Sequence, residues 1–148
     1  MKIAMIGHKK LPSREGGIEV VVEELAVRMV QEGHQVDAYD RWEPVLRNGK
    51  DIPKRYKGIR GIKIPTFRNK SMNAFVYSIF ASIRVLFGRY DVIHYHAEGP
   101  CAMMWLPKLF GIPVVATIHG LDWQRAKWGG LCHQILIAWR KMCGSVCG

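Results

Sequence analysis

Residues 2–39 read KIAMIGHKKLPSREGGIEVVVEELAVRMVQEGHQVDAY. Lys2–Ile6 is a short apolar run closed by Gly7, which predicts a buried first strand. From Ile18 to Gln31 the apolar residues Val21, Val22, Leu25, Ala26, Met29 and Val30 recur at a spacing that gathers them on one helical face. Gly33 supplies the stop for that helix, and Gln35–Tyr39 alternates as a second strand. Strand, helix and strand in this order make a right-handed parallel crossover unit.

The remainder extends the same plan. Gly61–Ile64, bounded by Pro65, predicts a third strand, Ser71–Gly88 an apolar helix and Asp91–His94 a fourth strand. Pro100–Phe110 predicts a second crossover helix, stopped by Gly111 and kinked or shortened by Pro107. Ile112–Ile118, IPVVATI, has the β-branched content of a strand covered on both faces. The expected architecture is α/β, a doubly wound parallel sheet of Rossmann-like type, in one domain spanning residues 1–148.

A chain of 148 residues with 49% hydrophobic content can bury a core without disulfide or metal staples. The four cysteines, Cys101, Cys132, Cys143 and Cys147, include no C-x-x-C pair and read as reduced thiols of a cytoplasmic protein. Segment Leu131–Cys143 is amphipathic and turns Cys132 and Cys143 toward the core. MKIAMIG is too short an apolar run for a secretory signal. Ala74–Phe87 contains Arg84 and is too short to span a bilayer, so it reads as a core helix or as one resting partly on a membrane surface.

The net charge of +10 points to an acidic partner: nucleic acid, a phosphorylated small molecule or an anionic membrane. Much of it lies in Trp42–Lys70, where nine Lys or Arg residues stand against Glu43 and Asp51. A solvated basic loop explains that stretch equally well. Nucleic-acid binding is disfavoured, because only Trp42, Tyr56 and Phe67 interleave with the basic residues.

Ligands of an open parallel sheet collect at the carboxyl ends of its strands, and the unusual polar residues fall there. His8, Gly16 and Gly17 follow the first strand; Asp40 and Arg41 the second; His94, His96 and Glu98 the fourth; His119, Gly120 and Asp122 the last. Gly16 and Gly17 lack a Cβ and precede helix N–H groups that favour anions, so they suit a phosphate-bearing ligand, or simply a tight turn. The spacing is neither G-x-G-x-x-G nor G-x-x-x-x-G-K. His94 and His96 share a strand face with Glu98 one step further, which serves metal ligation, polyol binding or structure. His119, at a strand end, can donate to a ligand or accept a proton near neutral pH.

Taken together, the stretch from Lys2 to Arg41, YDVIHYHAEGP and IPVVATIHGLDWQRAKWG resemble the N-terminal Rossmann-like half of retaining glycosyltransferases of the two-domain B fold, glycosyltransferase family four, most of all its rhamnosyltransferase-like and polysaccharide-building members. The resemblance spans residues 1 to about 129. It implies transfer of a sugar from a nucleotide diphosphate sugar donor to a saccharide or lipid-linked acceptor in cell-surface polysaccharide or glycoconjugate biosynthesis, with retention, no cofactor and no obligatory metal. By that resemblance Gly16 and Gly17 approach the donor diphosphate, and His119 is the catalytic residue beside the transferred sugar. His96, Glu98 and Asp122 line the acceptor side. The apolar helix and the basic stretch suit a lipid-linked acceptor, with peripheral contact at the cytoplasmic face of the membrane.

Members of that family continue into a second Rossmann-like domain that holds most donor contacts, whereas this sequence runs to Gly148. The expectation is an acceptor-side half, inactive alone because half the cleft is supplied elsewhere. Two other readings stay open. One is an acceptor-binding module that recruits a donor-binding partner. The other is a metal-dependent hydrolase using His94, His96, His119 and Asp122.

Overall fold

The computed structural model describes residues 1–14, 16–42, 54–66, 70–96 and 98–118, with residues 70–72 and 98 described by backbone alone. Its elements run β1 (Lys2–Ile6), α1 (Gly17–Gln31), β2 (Gln35–Trp42), β3 (Arg55–Tyr56), β4 (Ile59–Pro65), α2 (Lys70–Leu86), β5 (Val92–His96), α3 (Glu98–Cys101), α4 (Trp105–Leu109) and β6 (Val114–Thr117). The strands form one sheet in the order β3-β4-β2-β1-β5-β6. Every neighbouring pair is parallel except β3 with β4. The doubly wound α/β expectation therefore holds, with a short antiparallel strand added at one edge.

Alternation along β1 divides the core. Ala4 and Ile6 join Tyr39, Tyr77, Ala81, Val85, Ile93 and Tyr95 beneath α2, whereas Met5 joins Val22, Ala26, Val36, Ala38 and Ile59 beneath α1. Strands buried on both faces read as unbroken apolar runs, which is why β1 was legible as KIAMI. On α1, Val22 and Ala26 face the sheet as the spacing requires, but Val21 turns outward and is exposed.

Three differences from the sequence reading have local causes. Lys57 and Gly58 both take positive φ, +47° and +84°, and so make a tight two-residue turn. That turn folds Arg55–Tyr56 back onto β4, so part of the expected basic loop is sheet. The expected helix Pro100–Phe110 is two short helices, broken at residues 102–104. Pro107 has no N–H to give the Met103 carbonyl, and the restart of the helix at Trp105 places it in the first turn of α4, where that missing donor costs nothing. Finally, β6 pairs with β5 alone among the described residues, and Val115 is half exposed rather than covered on both faces.

Polar groups under the sheet are paired rather than excluded. Asp37 accepts bonds from the Arg60 guanidinium, from Nε at 2.9 Å, and from the Tyr90 hydroxyl at 2.5 Å. Tyr39 donates to Tyr90 at 3.1 Å. Burial pushes the Tyr39 and Tyr95 hydroxyls up to about 12, so both remain neutral throughout the ordinary pH range. Cys101 is buried in the same core. Cys132, Cys143, Cys147 and the segment Leu131–Cys143 lie outside the described residues.

Candidate functional site

The sheet changes direction at β1. The chain moves outward through β2 and β4 on one side, and through β5 and β6 on the other. The carboxyl ends of β1 and β5 thus flank the switch point, where an open α/β sheet binds its ligands. Gly7 stands at that point with φ +122°, and a Cβ there would lie 1.8 Å from the His96 carbonyl oxygen. Only glycine lets the end of β1 pass so close to the end of β5. The Gly7 N–H donates to the Tyr77 hydroxyl at 3.1 Å, and that hydroxyl donates to the Tyr39 carbonyl at 2.5 Å. Tyr77 therefore ties the ends of β1 and β2 together from α2, and the Arg41 guanidinium lies 4.9 Å from its ring centre.

Beyond Gly7 the loop to α1 is pinned from both sides. Asp40 Oδ1 accepts from the Leu11 N–H at 2.8 Å and lies 3.0 Å from His8 Nε2, with both side chains wholly buried. The Arg41 N–H donates to the Lys9 carbonyl at 2.6 Å. From the helix side, Glu19 Oε1 accepts the Lys9 N–H at 3.2 Å. Four separate contacts hold a loop that hydrophobic burial alone could not fix, and a pre-set loop loses little freedom when a ligand arrives.

The two glycines at the start of α1 have different reasons. Gly16 is the N-cap residue in extended conformation, and a Cβ on it would meet Glu19 Oε2 at 2.4 Å. Its bareness serves the returning Glu19 carboxylate. Among the described residues, Gly17 has nothing within 4 Å of an added Cβ. The described residues do not require glycine there, and the space beside Gly17 is open. Among the described residues no side chain caps this helix, and its first N–H groups carry the partial positive charge of a helix N-terminus.

On β5, His94 and His96 do share a face, with ring centres 4.1 Å apart. His94 Nε2 lies 2.7 Å from Thr117 Oγ1 on β6. His96 is wholly buried, and Glu98 opens α3. Among the described residues no three His, Cys, Asp or Glu side chains gather into a metal-sized cluster. His119, Gly120 and Asp122 lie outside the described residues. The structure thus brings Gly16, Gly17, His8 and Asp40 to one loop, with His96 across the switch point. Sequence reasoning missed Gly7, Tyr77 and Glu19 as the parts that position that loop; of these only Glu19, three residues after Gly16, carried a local signal.

The sequence pattern of Glycosyltransferase Family 4 matches residues 15–145. The chain is 29% identical over 147 residues to an uncharacterized glycosyltransferase of Methanocaldococcus jannaschii, an alignment covering 88% of this chain and 33% of that protein. Its fold is similar to that of the sucrose-phosphate synthase of Thermosynechococcus elongatus, with a TM-score of 0.66 and 20% identity over 95% of this chain and 39% of that one. The chain thus spans well under half the length of both proteins. The family pattern covers most of the sequence, including the start of α1, and the chain belongs to glycosyltransferase family 4.

Proposed function

We propose that this chain is the acceptor-side half of a retaining glycosyltransferase, one that moves a sugar from a nucleotide diphosphate donor to a saccharide or lipid-linked acceptor. The observation that carries the reading is Gly17, open to its surroundings at the uncapped N-terminus of α1 beside the switch point. Negative charge develops on the departing diphosphate as the glycosidic bond breaks, and a fixed helix N-terminus stabilises it without reorganising. Gly16 and Gly17 approach that diphosphate, while His119 stands beside the transferred sugar. His96, Glu98 and Asp122 serve the acceptor side. A second Rossmann-like domain completes the cleft and selects the donor sugar.

The test supplies labelled nucleotide diphosphate sugars and polyprenyl-linked acceptors to the chain, with and without a cognate second domain. The expected result is transfer only with the second domain present, with the anomeric proton coupling of the product matching that of the donor. An inverted product would overturn the retaining mechanism, and hydrolysis dependent on stoichiometric zinc would overturn the transferase reading.

A further inference from the structure

Helix α2 carries polar residues on its inner face and apolar residues on its outer one. Asn73, Ser78 and Ser82 are buried beside Tyr77, Ala81 and Val85; Ser78 Oγ donates to the Ala74 carbonyl at 2.6 Å, and Ser82 Oγ lies 2.8 Å from the Tyr95 hydroxyl. The opposite face bears Phe75, Phe80 and Ile83, with Phe87 just past its end, all exposed, Phe87 at 75%. Helix α4 packs against α2 and adds exposed Trp105, Leu109 and Phe110. A helix facing water on that side would place its serines outward, and a set of large exposed apolar side chains on two packed helices marks a contact surface.

Charge identifies the occupant. The sequence has no Asp or Glu between residues 70 and 90, nor between 99 and 121. Among the described residues, the exposed charged side chains on α2, α4 and the turn after α2 are Arg84, Arg89 and Lys108, and the nearby Asp91 carboxylate accepts the Lys2 N–H at 2.6 Å. We infer that the outer face of α2 and α4 docks onto an anionic lipid surface, with the aromatic side chains entering the headgroup boundary and the cations meeting lipid phosphates. A second copy of the chain would set these cations against their own kind. No helix among the described residues is long and apolar enough to cross a membrane, so α2 lies along the surface. The inference deepens the lipid-linked acceptor reading by naming the docking face, and its test involves no sugar transfer, so each can fail alone.

Flotation of the purified chain with phosphatidylcholine vesicles, with and without phosphatidylglycerol, measures the partition directly. The expected result is partition about tenfold higher onto the anionic vesicles, weakening as salt is raised. Phe80→Ser with Phe87→Ser, and separately Arg84→Glu with Arg89→Glu, each lower it by about tenfold, the second pair with an unchanged thermal midpoint. Absence of partition by the unaltered chain would overturn the inference, as would undiminished partition of the Arg84→Glu, Arg89→Glu variant. Concentration-dependent self-association, abolished by the Phe variant and without vesicle binding, would instead assign the face to a dimer.

Discussion

Gly7 and Gly17 stand ten residues apart on the same loop and lack side chains for opposite reasons. At Gly7 the protein itself fills the space, and Gly7→Ala drives a methyl group against the His96 carbonyl while straining a φ of +122°. We expect a loss of at least about 3 kcal/mol, read as a lowered urea midpoint. At Gly17 the space is open, so Gly17→Ala should leave thermal stability equal or slightly raised, since alanine favours the helix. Its effect belongs to the ligand: calorimetric titration of the complete transferase should show donor affinity reduced about tenfold by loss of close backbone approach. Tyr77→Phe is a third case at this scale. It leaves the buried Gly7 N–H and Tyr39 carbonyl without the hydroxyl that joins them, at a cost of about 1–3 kcal/mol in chemical denaturation.

The β3–β4 hairpin shows how an element becomes tied to its neighbour. A Cβ on Gly58 would meet Val30 Cγ1 at 2.6 Å, so the turn sits directly on α1. Lys57 Nζ and the Tyr56 hydroxyl both reach Glu23 Oε1, at 3.0 and 2.9 Å. Burial pushes the Glu23 carboxyl up, but the bonds from Lys57 and Tyr56 outweigh it and hold its pKa below the usual 4.5. A carboxylate depressed in the folded state binds fewer protons there than in the unfolded chain, so its contribution is present above about pH 4.5 and is lost as pH falls through the folded value. Thermal midpoints measured from pH 7 to pH 3 should fall more steeply below that point for the unaltered protein than for Glu23→Gln. The hairpin was legible in principle from Lys57-Gly58 between two short runs. The basic composition masked it, because Lys57 and Arg60 read as solvated charge while their carboxylate partners lie on α1 and β2.

Across the whole molecule, the parallel sheet was legible because local pattern and global topology agree: β1, α1 and β2 each carry their own period, and handedness then fixes the crossover. The candidate site was legible only as a set of strand ends. That His8 meets Asp40, or that the Gly7 backbone abuts His96, depends on register between strands far apart in sequence, which no local pattern encodes. The doubling of Gly16 and Gly17 suggested a single purpose, and the positions divide it because Glu19 folds back over one glycine alone. The central claim is that the start of α1 receives a diphosphate. Titrating a nucleoside diphosphate into the nitrogen-15-labelled chain tests it most directly, since amide shifts report even millimolar binding. The account predicts saturable shifts greatest at the amides of Gly16, Gly17 and Ile18, and a titration that moves other amides while leaving these three in place would contradict it.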